Sequence, residues 1–91
     1  MKNSLKNKKD IDKLFSLGKT KVTNNIMLKT IDGTPGFITC VSSKNFKKAV
    51  DRNRIKRLMR EELKGLTPSK SIAIIYIGKD VPKHLNFREY L

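Results

Sequence analysis

Apolar positions along this 91-residue chain switch between helical and strand spacing, and each switch falls at turn-forming residues. Ile11, Leu14 and Phe15 share one face at helical spacing, which predicts a short helix over Asp10 to Leu17 with Gly18 as its stop. Lys19 to Ile31 is rich in Thr, Val and Ile and predicts extended chain, broken near Thr23–Asn25. Asp32-Gly33-Thr34-Pro35-Gly36 carries the small and φ-restricted residues of a turn, and Phe37 to Val41 reads as the returning strand of a hairpin. Phe46 to Lys64 is the main predicted helix, entered after Ser42-Ser43-Lys44-Asn45 and ended by Gly65. At about 100° per residue, Ile55, Leu58, Met59, Leu63 and Leu66 fall within one arc of roughly 140°. Asn53, Arg54, Lys56, Arg57, Arg60 and Lys64 take the other side. After a Thr67-Pro68-Ser69 loop, Ser71 to Ile77 reads as a buried strand, and Asn86 to Leu91 has residues for little more than one turn of a third helix. Strands on both sides of a long helix predict an α+β sandwich, a sheet with helices packed on it, in a single domain spanning 1–91.

Charge changes the picture from fold to partner. The 21 Lys and Arg against 8 Asp and Glu give +13. Such an excess gathers counter-ions and favours a polyanion, either nucleic acid or an acidic membrane surface. A chain this short also buries a modest core, so its stability without a partner is expected to be marginal. Residues 1–9 carry Lys2, Lys6, Lys8 and Lys9 and read as a flexible basic arm. Neither a secretory signal nor a membrane span is visible, since the longest apolar run, Ile72 to Ile77, is far too short to cross a bilayer. The expected location is cytoplasmic.

The candidate chemistry is binding rather than catalysis. Cys40 is the only cysteine, which rules out an intrachain disulfide and a multi-cysteine zinc site. His84 is the only histidine and sits beside Lys83 in a loop, a poor place for a metal ligand or a general base. Glu61 and Glu62 are adjacent on a helix and point about 100° apart, so they cannot act as a catalytic pair on one substrate. Catalytic and metal-ligating residues are therefore expected to be absent. Lys44 to Lys64, in contrast, holds nine basic residues and three acidic ones. Ammonium groups and guanidinium forks in a row suit a phosphate backbone, each neutralising one phosphate and releasing its counter-ion. Most charged helix faces are merely solvated. The density here argues otherwise, because the like charges repel and only Glu61 and Glu62 relieve them locally.

Val50-Asp51-Arg52-Asn53-Arg54-Ile55-Lys56-Arg57-Leu58-Met59-Arg60-Glu61 resembles the arginine-asparagine-arginine signature helix of the bacterial ribonuclease P protein family. Arg52, Asn53, Arg54, Lys56, Arg57 and Arg60 fill every charged or amide position of that signature. Val41-Ser42-Ser43-Lys44 and Ala49-Val50 resemble the family's approach to the helix, and Leu5-Lys6 with Asp10 to Gly18 resembles its first helix. The resemblance runs from Leu5 to Ile77. It implies the element order αβββαβα, with a left-handed βαβ crossover around the signature helix that no spacing argument would predict. It implies that the family's terminal helix is incomplete at Leu91, and that the 32–36 hairpin is shorter than usual. It also implies a role: a protein subunit that binds the catalytic ribonuclease P RNA and the 5′ leader of precursor tRNA, promoting endonucleolytic removal of the leader. The protein alone is not expected to cleave RNA. Magnesium in the holoenzyme is implied to be held mainly by the RNA, with no cofactor in the protein, no membrane contact and no obligate protein partner.

Carried onto this chain, the resemblance assigns RNA binding to Lys44, Lys47, Lys48, Arg52, Asn53, Arg54, Lys56, Arg57, Arg60 and Lys64. The leader cleft, between the first helix and the sheet, is assigned to Ile11, Phe15 and Lys29. Spacing alone leaves Phe15 evenly balanced between core and cleft, and the resemblance favours the cleft. Ile11 and Lys29 stand where the family usually has aromatic residues, which implies weaker stacking and more affinity from charge. Phe37 and Phe46 are expected to be packing residues. Two other readings share the basic helix. One is a different RNA- or DNA-binding module, such as a ribosome-associated protein; the other is a membrane-surface or calmodulin-target helix. The nucleic-acid module would have no reason to fill all six signature positions, and the membrane or calmodulin helix leaves unexplained the strands that flank the helix ready to bury its apolar face.

Overall fold

The computed structural model describes residues 5, 7–23, 25–87 and 91. The element order is α1 (Lys8–Leu17), β1 (Lys19–Thr23), β2 (Ile26–Ile31), β3 (Gly36–Val41), α2 (Ala49–Leu63) and β4 (Ser71–Tyr76). The fold is the mixed α+β sandwich that the pattern predicts, a four-stranded sheet with two helices. The order of strands across the sheet is β1-β2-β4-β3. β1 pairs antiparallel with β2, β2 antiparallel with β4, and β3 parallel with β4.

That order corrects the reading of residues 32–36 as a hairpin. The turn reverses the chain, but β4 enters between β2 and β3, and the two strands do not pair. β4 is the most apolar strand and is buried along nearly its whole length, so the centre of the sheet, covered on both faces, is where its burial is greatest. Ser71 fixes the turn to it by donating its hydroxyl to the Thr34 carbonyl at 2.6 Å.

Alternation along each strand sorts the side chains onto two faces. Ile26 and Leu28 of β2, Phe37 of β3, and Ile72, Ile74 and Tyr76 of β4 pack with Ile55, Met59 and Leu63 of α2. Phe46 and Phe87 complete that cluster. On the opposite face Ala73, with Ile31 and Ile38, packs against Leu14, Ile11 and Phe15 of α1. The sheet thus separates the two helices, and the expected packing roles of Phe37 and Phe46 hold, both being buried.

Both helices begin at residues other than those expected. α1 begins at Lys8 rather than Asp10, because the Asn7 side chain accepts from the Lys9 amide at 2.9 Å and caps the helix earlier. Gly18 stops it as expected, its amide donating to Leu14 O at 2.9 Å. A Cβ at Gly18 would run into the carbonyl oxygens of Leu14 and Thr30, so the close approach of strand to helix needs a glycine. α2 begins at Ala49 rather than Phe46, since Lys48 at its N-cap has extended backbone. Gly65, at φ 82°, then turns the chain out of the helix in the left-handed region open to glycine.

The flexible arm expected over residues 1–9 is corrected where it is described. Leu5 is buried, its amide donates to Phe37 O at 2.8 Å on the outer edge of β3, and Lys8 and Lys9 are helical. Residues 1–4 and 6 lie outside the described residues. So do residues 88–90 of the expected third helix; Asn86 and Phe87 just before them are not helical, and Phe87 is a core residue.

Candidate nucleic-acid interface

α2 turns Ile55, Met59 and Leu63 to the sheet, a row at four-residue spacing on one side of the helix. The opposite side is polar by the same geometry. Asn53, Arg54, Arg57, Arg60 and Lys64 are exposed, and Lys56 is half-buried at the margin. With a rise of about 1.5 Å per residue, Arg54 to Lys64 is a cationic strip about 15 Å long. Arg57 Nε lies 3.7 Å from Glu61 Oε1, with both side chains largely exposed, at 78% and 61%. In water such a pair holds the guanidinium only loosely. Leu58 corrects the predicted arc: it is half-buried, because the buried row is centred nearer Met59 and leaves Leu58 at its rim.

Lys44, Lys47 and Lys48 lie in the loop that enters α2 and are all exposed. With Asn45, Asp51 and Lys79 they border an open depression of about 420 Å³ at the amino end of the helix. The loop is held from inside. Phe46 is buried, and its ring meets Tyr76 at 5.8 Å between centroids, tilted by 44°. The Tyr76 hydroxyl donates to Asp80 O at 2.6 Å. Burial, reinforced by the Asp80 carboxylate, raises the Tyr76 phenol above its ordinary value.

Arg52 does not stand with the exposed cations. It is half-buried and Nη1 donates to Phe46 O at 2.7 Å and Lys47 O at 2.9 Å. The sequence held a signal for this: at about 100° per residue Arg52 falls about 60° from Ile55, inside the apolar arc rather than opposite it.

On the other side of the sheet, the three residues assigned to the cleft come together. Ile11 and Phe15 are half-buried against the cluster around Leu14 and Ala73. Phe15 is thus partly core and partly open, between the two alternatives that spacing left. Lys29 Nζ lies 3.5 Å from Phe15 O and 3.3 Å from Thr20 Oγ1, so the ammonium is held at the carboxyl end of α1, where the helix dipole favours a cation. Register places Val22, Met27, Ile75 and Cys40 in the next row of that face. Val22 is 57% exposed, and Met27 and Ile75 belong to neither core cluster. Sequence reasoning passed over this apolar row. Its signal was the alternation in β2 and β4, which sets Met27 and Ile75 opposite the core side. Burial raises the Cys40 thiol above its ordinary value, and nearby Lys56 opposes that only in part.

Among the described residues no three His, Cys, Asp or Glu side chains converge as metal ligands, and no helix is long and apolar enough to cross a membrane.

Comparison with known proteins completes the picture. A model of the ribonuclease P family matches residues 1–90. The chain belongs to the ribonuclease P protein family. A structure of the Staphylococcus aureus RNase P protein superimposes with a TM-score of 0.70 at 24% identity, covering 84% of this chain and 75% of that one. A second Staphylococcus aureus RNase P protein structure gives 0.66 at 27% identity, covering 81% and 68%. A mutant of that organism's protein, described as defective in mRNA degradation activity, gives 0.70 at 24% identity over 81% and 68%. No curated protein matches by sequence. Fold and family together identify a ribonuclease P protein subunit.

Proposed function

We propose that this ribonuclease P protein binds the catalytic ribonuclease P RNA through the exposed face of α2 and the loop before it. In the same reading it takes the 5′ leader of precursor tRNA into the cleft between α1 and the sheet, and so promotes endonucleolytic removal of the leader. The observation that carries the reading is the cationic strip Arg54–Lys64. Arg54, Arg57, Arg60 and Lys64 are exposed, while the opposite side of the same helix is locked into the core by Ile55, Met59 and Leu63. A row of guanidinium and ammonium groups carried on a fixed backbone suits a regularly spaced row of phosphates. The cleft adds the half-buried Phe15, an aromatic side chain of the kind that stacks on unpaired bases, and the held charge of Lys29.

Catalysis belongs to the RNA in this reading, in the cytoplasm and without an obligate protein partner. Among the described residues the acidic groups do not converge on a divalent cation: Glu61 and Glu62 point apart on the helix, and Asp51 stands among Lys44, Lys47 and Lys48 at its amino end. Magnesium is accordingly assigned to the RNA.

Reconstitution tests the proposal directly. The chain is mixed with a bacterial ribonuclease P RNA and a precursor tRNA at low magnesium, and leader release is measured. Stimulation over the RNA alone is expected. Retardation of any nucleic acid without stimulation would reduce the protein to a general nucleic-acid binder and refute the role.

A further inference from the structure

The signature helix contains one arginine that the geometry separates from the rest. Arg52 lies on the core side of α2, and the two hydrogens of Nη1 are directed at Phe46 O and Lys47 O. Those carbonyls are six and five residues back, beyond the reach of the helix's own i→i−4 bonds. They belong to the loop that carries Lys44, Lys47 and Lys48, three ammonium groups within five residues that repel one another. No side chain caps α2 at Lys48. The guanidinium therefore ties loop to helix in another way, donating to loop carbonyls where a capping side chain would accept from first-turn amides.

Other contacts show how the loop is fixed. The Phe46 amide donates to Ser42 O at 3.1 Å, and the Asn45 amide to Ser42 Oγ at 3.3 Å, closing the turn after β3. Phe46 anchors the loop beneath, in the core. Arg52 closes it from the helix side. With both ends held, Lys47 and Lys48 stand exposed at the rim of the depression they share with Lys79.

We propose that Arg52 is a positioning residue. It orders the 44–48 loop so that Lys47 and Lys48 meet RNA phosphates at the amino end of α2, and it does not itself bind a phosphate. This rests on α2 being the RNA-docking face, and it divides the signature into arginines that touch RNA and one that shapes the surface beside them.

The test joins amide hydrogen exchange with a mutant cycle. Arg52→Met keeps the aliphatic stem in its packing and removes both donors; Arg52→Gln serves as the second variant should the first fail to fold. In the free protein, Arg52→Met is expected to speed exchange at the Asn45 and Phe46 amides while leaving Ile74 unchanged. The dissociation constant for ribonuclease P RNA is then measured for Arg52→Met, for Lys47→Ala with Lys48→Ala, and for the triple variant. Arg52→Met is expected to weaken binding several-fold in the parent but by less than about twofold once the lysines are gone, the limit within which independent sites add. An equal fold-loss in both backgrounds, or exchange that Arg52→Met leaves unaltered, would overturn the assignment. Normal RNA binding by the Arg57→Ala, Arg60→Ala variant would overturn the docking reading beneath it, so the two failures are distinguishable.

Discussion

Replacing Arg57 and Arg60 together by Ala isolates the electrostatic contribution of the exposed helix face. Both are exposed on α2, and neither belongs to the core clusters. Among the described residues their side chains form one ion pair, the 3.7 Å bridge from Arg57 to Glu61, between largely exposed groups. A bridge of that kind on a helix contributes about 0.2–0.5 kcal/mol, so the melting temperature should barely move. Binding is different. Each lost phosphate contact flattens the dependence of log affinity on log salt by about 0.7–0.9, so two contacts flatten it by about 1.4–1.8. Between 50 and 200 mM salt, a change of that size makes the variant's fall in affinity about 7–12-fold smaller than the parent's. Filter binding of ribonuclease P RNA across that range measures the two slopes, with circular dichroism melts as the control. Parallel slopes would show that neither arginine meets a phosphate, and the docking face would have to be sought elsewhere on the molecule.

Other perturbations report on other parts of the structure. Met59→Ala, at a fully buried position, should destabilise the fold by about 2–5 kcal/mol in urea melts, and Leu58→Ala clearly less because it is half-buried. Phe15→Ala should lower the preference for precursor over mature tRNA by about 1–3 kcal/mol while RNA-subunit affinity holds; an equal loss for both tRNAs would make Phe15 a core residue only. The raised Tyr76 phenol keeps its proton in the folded state at a pH where the unfolded chain gives it up. Stability present below the ordinary tyrosine value of about 10 should therefore be lost as pH rises through the folded value, a decline that Tyr76→Phe should flatten in alkaline melts. Sulfate should raise the melting temperature more than chloride at equal ionic strength, since a bound polyanion relieves the repulsion of +13; superimposable melts would mean screening alone.

Much of this was legible in the chain because it follows from local periodicity. The helical row Ile55, Met59, Leu63 and the apolar run from Ile72 announce the elements and the face each buries. Pairing is another matter. Phe37 to Val41 looks like the second arm of a hairpin because the turn before it is short, and only the competition for the sheet centre, won by the more apolar β4, shows otherwise. Long-range contacts decided the amino terminus too. Lysines around Leu5 suggest a solvated arm, yet Leu5 is drawn in by one hydrogen bond to the open edge of β3 and a place beside Leu14. At the interface, residue type located the cations but not their tasks. Arg52 and Arg54 are two residues apart and chemically identical, and a rotation of about 200° sends one toward the loop carbonyls and the other into solvent.

That division bears on how a small, highly charged domain can bind RNA at all. Binding loses free energy whenever flexible side chains and loops must be ordered at the contact, and lysine and arginine carry a large rotamer entropy. The domain cannot remove that entropy from side chains that must reach into solvent. It can remove it from the backbone that carries them. α2 does so through Ile55, Met59 and Leu63 beneath Arg54, Arg57 and Arg60; the 44–48 loop does so through Phe46 below and Arg52 alongside. In both places a buried group fixes the backbone and an exposed cation stands on it. Such an arrangement explains why the apolar core, modest as it is, lies directly behind the charged surface. The same residues that make the chain fold hold its charges at fixed spacing, and a substitution such as Met59→Ala should therefore weaken RNA affinity even in the fraction of molecules that remain folded.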